Sequence, residues 1–334
     1  AVAKAINYGT LTEAEKERER KTGRKIGKGI AALHKAPAMP PFTATSAVIK
    51  MNSDGSVNVN VGLMEIGQGS TTAFQQIVAE RLGFPLEKVK VTVEKDTDRD
   101  PYDWQTVASK GLIMSGNACI LAAEDLLKKA YDVAAQILRA NPVDLAHDGE
   151  KIYVKHHPSE AITWASIAIG YAYPNGNGVG GPLIGTGTYI AQGLSNLDKE
   201  TGVGNPALDW TYGAHGVIVE VDPETGEYKI LKIASAFDVG KVINEDMVRG
   251  QAVGGMIQGL GTAICEGYIY DKQGHLLNPS FTDNKIPTAK DLPEEIETIA
   301  VETPQLDGPY GARGVGEHPM ISVAPALANA IDDA

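Results

Sequence analysis

"VNVNVGLMEIGQGSTTAFQQIVAERLG", residues 57–83, changes its hydrophobic period halfway. Val57, Val59 and Val61 alternate with asparagine, as a half-buried strand does, while the stretch after Gly69 carries an amphipathic helical pattern that closes at Gly83. A strand therefore hands over to a helix through a glycine loop, Gly67-Gln68-Gly69-Ser70-Thr71. Upstream, "TSAVIKMN" and the turn signal "SDGS" complete a β-hairpin with this strand. Downstream come a strand, "KVKVTVEKD", a loop from Thr97 to Gly116, and a long helix from about Asn117 to Arg139.

The same order of elements returns later. "HGVIVEVD" and "YKILKIASAFDVG" flank the turn "PETGE", and "RGQAVGGMIQGLGTAICEG" reads as a glycine-rich helix. A hairpin around "YDKQGHLL", a strand "IETIAVETP", a loop "QLDGPYGARGVGE" and a terminal helix follow. The terminal helix is read from Ile321, Ala324, Leu327, Ala328 and Ile331. The expected fold is α+β with two related lobes, each hairpin, helix, strand, loop and helix. Residues 1–30 are expected to form a charge-rich N-terminal helix and linker, 31–170 the first lobe, and 213–334 the second. Residues 171–212, rich in glycine, asparagine and proline, read as an irregular connection lining a site or an interface.

A length of 334 residues suffices for two domains with a sizeable core. The net charge of −12 speaks against a nucleic-acid surface, which needs a basic face. With no apolar run of membrane-spanning length and no signal segment, no membrane association is expected and the cytoplasm is the default location. Cys119 and Cys265 stand alone in apolar stretches and are expected to be buried free thiols. They cannot build a zinc site or a cysteine-held iron–sulfur cluster by themselves. The adjacent His156 and His157 give no metal spacing, and no direct protein-ligated metal is expected.

Three glycine or small-residue loops remain as candidates for an acceptor-rich ligand: Gly67–Thr71, Thr106–Gly111 and Gly311–Glu317. In the first, backbone N–H groups at the helix start would attract phosphate or another acceptor, and Gln68 offers an amide. The third ends on Glu317, a carboxylate between glycines and a helix, which is either ordinary helix-end chemistry or a general base. Arg313 and His318 make it a mixed-charge pocket or, more plainly, an exposed Arg–Glu pair.

Three segments, "MEIGQGSTTAFQQIVAERLG", "FDVGKVINEDMVRGQAVGGMIQGLG" and "GARGVGEHP", resemble in order the molybdenum-binding half of the xanthine oxidase family of molybdenum hydroxylases. The resemblance runs from about Gly27 to the C-terminus. It implies a molybdenum held by a pterin dithiolene, as molybdopterin or its cytosine dinucleotide, with a terminal sulfido or selenido ligand. It implies that Glu317 is the base in hydroxylating an electron-poor carbon of an N-heterocycle or aldehyde, with water as the oxygen source. Gly67, Gln68, Gly69, Ser70 and Thr71 would contact the pterin, Ala108 and Ser109 would line the cofactor, and Gln251, Gly314 and Gly316 would belong to the contacts of the later segments.

The family's large subunit has a further N-terminal half, so a split subunit, as in nicotinate dehydrogenase-like enzymes, or a piece of a longer chain is expected. A complementary molybdopterin-binding chain, an iron–sulfur subunit with [2Fe-2S] and an FAD subunit are the implied partners. Xanthine-type members carry a Phe-Thr pair before the first hairpin, where this sequence reads Lys35-Ala36-Pro37-Ala38-Met39. A non-catalytic cofactor-holding or assembly module is the competing reading.

Overall fold

The chain begins with α1 (Val2–Ala5), α2 (Glu13–Thr22) and β1 (Lys25–Lys35). Thr12 opens α2 with a capping box: its hydroxyl accepts from Glu15 N–H, and the Glu15 carboxylate accepts from Thr12 N–H. Gly23 closes α2 at φ 72°, a left-handed angle that suits glycine. The computed structural model describes all residues, Ala1–Ala334. Residues 25–35, expected to fall partly in a linker, are an eleven-residue strand. Gly27, Lys28 and Gly29 interrupt any apolar alternation, so the sequence carries no strand signal here.

The chain divides into two units, one of Pro37–Leu208 with Pro304–Gly314, the other of Ala1–Ala36, Asp209–Thr303 and Val315–Ala334. Residues 1–30, expected to be a separate N-terminal piece, thus group with the later residues, and of the expected connection 171–208 groups with the first-named unit and 209–212 with the other. That unit contains β2 (Ala44–Met51), β3 (Val57–Val61), α3 (Ser70–Leu82), β4 (Val89–Val91) and α4 (Gly111–Leu138). The small strands β5 (Leu145–His147), β6 (Lys151–Val154) and β7 (His157–Thr163), the turn α5 (Trp164–Ile167), and β8 (Ile169–Ala172) with β9 (Gly178–Pro182) follow. Then comes β10 (Ile184–Ile190). The long helix starts at Gly111 rather than near Asn117, and β4 keeps only three residues of the expected strand.

The other unit is completed by β11 (Thr211–Val221), β12 (Tyr228–Asp238), α6 (Glu245–Ile264), β13 (Glu295–Val301), α7 (His318–Ile321) and α8 (Val323–Asp333). The expected hairpin at residues 270–277 is reduced to one isolated bridge, Tyr270 to Leu276.

The two units share a plan. Their sheets run β10-β2-β3-β4 and β1-β11-β12-β13. In each, the first two pairings are antiparallel and the last is parallel. The parallel pair in each closes over one crossover helix, α3 or α6.

A shared packing device sits at one edge of both sheets. A Cβ on Gly185 or Gly187 of β10 would lie 2.1 Å from Ala122 O or 2.3 Å from Ala118 O of α4. A Cβ on Gly27 or Gly29 of β1 would lie 1.9 Å from Ala330 O or 2.2 Å from Ala326 O of α8. Two glycines spaced by two on a strand therefore face two alanines spaced by four on a helix, and no side chain fits between. This explains why the glycine-rich segment read as a loop contains β10: its glycines serve close approach, not flexibility.

The core of the first-named unit gathers Ile49, Val57, Val59, Phe74, Ile77, Leu82 and Leu126, all nearly inaccessible. In the other, Val217, Val219, Ile233, Met256, Leu260, Val323, Ala326, Leu327 and Ala330 form one cluster. The buried face of α8 is thus Val323, Ala326, Leu327 and Ala330, rotated from the expected one, and Ile321 lies exposed beyond a break at Ser322. No helix is long and apolar enough to cross a membrane.

Candidate active site

In the Pro37–Leu208 unit, the glycine loop before α3 is organised by Glu65, which sequence reasoning overlooked. Its Oε1 accepts from Gly67 N–H and Gly69 N–H, both at 2.9 Å. Its Oε2 accepts from Ser70 Oγ at 2.8 Å and Thr71 N–H at 3.0 Å. Burial opposes ionisation here, but donation from Thr71, Gly69, Ser70 and Gly67 outweighs it and holds the carboxyl below its ordinary range. Gly67 and Gly69, at φ 105° and 83°, supply the backbone angles this wrap requires. The expectation that these N–H groups await a phosphate is therefore corrected: the chain's own carboxylate fills the start of α3.

Gln68 is also engaged. Its Nε2 donates to Met64 O at 3.1 Å and Ser70 Oγ at 2.8 Å, and its Oε1 accepts from Ile66 N–H at 2.7 Å. A carbonyl oxygen carries two lone pairs, so an acceptor position of Gln68 remains beyond this bond. Thr106 Oγ1 donates to the same Met64 carbonyl at 2.8 Å, tying the second loop to the first.

That second loop bends through two successive left-handed residues, Ala108 at φ 56° and Ser109 at φ 60°. Such angles in non-glycine residues cost about 1–3 kcal/mol each and persist only where surroundings enforce them. The enforcement is visible on one side in Lys110, fully buried, whose Nζ bonds both oxygens of buried Asp103 at 3.0 and 3.1 Å. On another side lies Gly314, where a Cβ would sit 1.7 Å from Ser109 O. Gly67–Thr71, Ala108, Ser109 and Gly314 are thus brought together within one unit.

Glu317, Gly316 and Gln251 belong to the other unit. Glu317 is the N-cap residue of the single-turn α7, but its side chain makes no capping hydrogen bond. This carboxylate therefore does not serve α7 as a hydrogen-bonding cap. Glu317 Oε2 accepts from Lys35 Nζ, at the last residue of β1. Glu317 is half-exposed, whereas the Lys35 side chain is only 16% exposed.

The turn carrying Glu317 is pinned from below. Val315 packs on Leu33, Phe237, Val239 and Ala252. Glycines on α6 admit the next residues: a Cβ on Gly255 would meet Pro319 Cβ at 2.7 Å, and one on Gly259 would meet Met320 O at 2.4 Å. Gln251 lies one turn before Gly255 on the same row of α6. His215 Nδ1 meets Ser322 Oγ at 2.7 Å, fastening β11 to the break between α7 and α8.

His318 does not contribute a charge to this place. It is buried, and burial first, then the Lys35 charge, pushes its pKa down to about 4 against a smaller opposing effect of Glu317. His215 is likewise held down to about 4 by burial, despite a hydrogen bond to the Pro319 backbone. Both rings are therefore neutral near pH 7.

The remaining candidates separate from the site. Cys119 is buried, and burial raises its thiol to about 12, whereas Cys265 is exposed at the end of α6, contrary to expectation. No group of three or more His, Cys, Asp or Glu side chains is placed to hold a metal ion.

The family model described as "Molybdopterin cofactor-binding domain" matches residues 1–293. The gamma subunit of the 6-hydroxypseudooxynicotine dehydrogenase complex of Paenarthrobacter nicotinovorans is 31% identical over 330 residues, 99% of this chain and 39% of that protein. The nicotine 6-hydroxylase large subunit of the same organism is 30% identical over 344 residues, 100% of this chain and 40% of that one. Among solved structures, the Cu,Mo-CO dehydrogenase in its carbon monoxide reduced state aligns with a TM-score of 0.81 at 29% identity, over 99% of this chain and 42% of that one. Quinoline 2-oxidoreductase from Pseudomonas putida 86 aligns with a TM-score of 0.81 at 26% identity, over 99% and 42% of the two chains. The chain spans about two fifths of the length of these relatives.

Proposed function

We propose, from the premise that this chain belongs to the molybdopterin cofactor-binding domain family, that it forms part of a molybdenum hydroxylase in which Glu317 is the general base. The observation that carries the reading is the state of Glu317: a half-exposed carboxylate on a turn packed against a buried cluster, making no helix-cap hydrogen bond and held by the enclosed Lys35 ammonium. Such an arrangement pre-organises a proton acceptor.

The residues suit a pterin better than a phosphate at the start of α3. Glu65 already satisfies those N–H groups, and a second anion beside it would be repelled. A pterin edge instead presents donors and acceptors, which match the remaining acceptor position of Gln68. The strained Ala108–Ser109 bend and the side-chain-free contact at Gly314 make a surface that a flat group approaches closely. Gly67, Gly69, Ser70 and Thr71 keep the Gln68 amide in place, while Gln251 and Gly316 are assigned to the contacts of the Glu317 half.

The molybdenum–pterin group, when bound, supplies the two-electron redox chemistry. This chain holds and moves the proton: Glu317 takes it up at its carboxylate while Lys35 keeps hold of Oε2. The substrate is read as a small N-heterocycle or aldehyde. Iron–sulfur and FAD units are assigned to partner chains, and a complementary molybdopterin-binding segment to the remaining length seen in relatives.

Glu317→Gln in the native complex tests the role, since it keeps size and polarity and removes only the basicity. The expected result is unchanged molybdenum content with turnover lowered by roughly 10²–10⁴-fold, the usual range for general-base help. Turnover at the parental rate would remove Glu317 from the chemistry.

A further inference from the structure

We propose that Lys35 is the positioning residue for Glu317, holding its carboxylate in one orientation from the end of β1. The proposal rests on the reading of Glu317 as the base and adds how that base is aimed.

Most surface ion pairs contribute little, because both side chains wave in water. The pairs Lys241–Glu302 and Lys229–Glu294 are of that kind, with lysines 53% and 54% exposed. The Lys35–Glu317 pair is built the other way round: the lysine is the enclosed member and the carboxylate the accessible one. An enclosed long side chain has little rotamer freedom left to lose, so its ammonium is a fixed point against which the carboxylate sets its angle.

The backbone on both sides explains why the point is fixed. Lys35 ends an eleven-residue strand paired residue by residue with β11, Lys35 lying opposite buried Thr211. Leu33, on the same face of the strand, is buried in the cluster on which Val315 packs. Two residues further along each segment come Lys35 and Glu317. The Val315–Glu317 segment therefore meets one face of β1 twice, first by apolar packing and then by the ion pair. Upstream, Gly27 and Gly29 lock the same strand against α8. The carboxylate is thus referred to the sheet rather than to its own short turn.

A lysine that positions rather than reacts makes a distinct prediction. Lys35→Met removes the fixed cation but keeps the apolar stem, and Lys35→Arg keeps a cation of longer reach. Crystal structures of the native complex carrying each variant read the orientation of Glu317 directly, without turnover. In Lys35→Met the Glu317 side chain should leave its place while the backbone of 311–321 stays; in Lys35→Arg it should remain. Oxidation of quinoline and of benzaldehyde with an artificial electron acceptor, measured on the same preparations, should show kcat lowered on the order of 10²-fold in Lys35→Met with KM little changed. Lys35→Arg should recover most of that loss, and molybdenum content should be constant throughout. A Glu317 side chain that keeps its orientation in Lys35→Met would overturn the proposal. Full turnover in Glu317→Gln, with the Lys35→Met displacement still seen, would instead reject the base and leave the positioning intact.

Discussion

Acid should loosen the Glu317-bearing unit well before its carboxylates titrate, because His215 and His318 are both buried and neutral. The Nε2 atoms of both rings are enclosed without a hydrogen-bond partner, so charging either ring would bury an N–H that lacks an acceptor. Each folded-state pKa is about 4, against the ordinary 6.5. Between these values the unfolded chain binds protons that the folded chain refuses, so stability is complete above pH 6.5 and declines as pH falls toward 4. A gap of this size is worth about 3 kcal/mol for each ring, a large part of a typical domain's stability. His147, held down by burial, acts in the same direction in the other unit. Hydrogen exchange on peptides spanning 211–221 and 323–333, run on the native complex at increasing urea and corrected for intrinsic rates, measures the effect. Stability of these segments should fall from pH 7 to pH 5, and His215→Gln should flatten the slope. An unchanged stability over that range, or an equal slope in His215→Gln, would refute the burial argument.

Removal of Lys110 leaves Asp103 as a lone buried charge, so Lys110→Met should destabilise its unit by about 3–5 kcal/mol; a chemical denaturation curve reporting less than 1 kcal/mol would show the pair to be dispensable. Glu65→Gln should free the 66–71 backbone to exchange, since a neutral amide cannot accept with both ends. Because its carboxyl lies below the ordinary range, the stability Glu65 gives should also vanish as pH falls through that lowered value, a window more acid than that of the histidines. Gly187→Ala places a methyl group 2.3 Å from the Ala118 carbonyl, and a loss of at least about 1–3 kcal/mol is expected, with the melting temperature as readout.

The parts of this architecture written in local chemistry could be read from the sequence. Val57, Val59 and Val61 with the turn at Asp54-Gly55 announce β3, and Gly83 marks the end of α3 correctly. The repeated order of elements reappears as two sheets of matching topology. What was missed depends on partners far along the chain. β1 and β10 look like loops because Gly27, Gly29, Gly185 and Gly187 are chosen by helices that the local sequence does not contain. Helix α8 is alanine-rich, so its true buried face, Ala326 and Ala330 among it, could not be told from its neighbours by hydrophobicity.

The candidate site shows the same division. The loops at Gln68, Ser109 and Glu317 stand out by their glycines and small residues. Their occupancy does not: Glu65 looks like any acidic residue until the backbone turns Gly67, Gly69 and Thr71 toward it. Lys35 lies 282 residues from the carboxylate it holds. The expected lack of a Phe-Thr pair in this region is corrected by the strand bounds, since Phe42-Thr43 stands directly before β2. Buried His318, beside Glu317 in sequence, looked like a second charge and is kept neutral by its packing.

The most direct test of the account is the molybdenum content, by elemental mass spectrometry, of the native complex isolated through this chain. One molybdenum per chain, with iron alongside, is the predicted result. A complete, folded complex without molybdenum would contradict it and leave an assembly module in which Lys35 and Glu317 form only a structural pair.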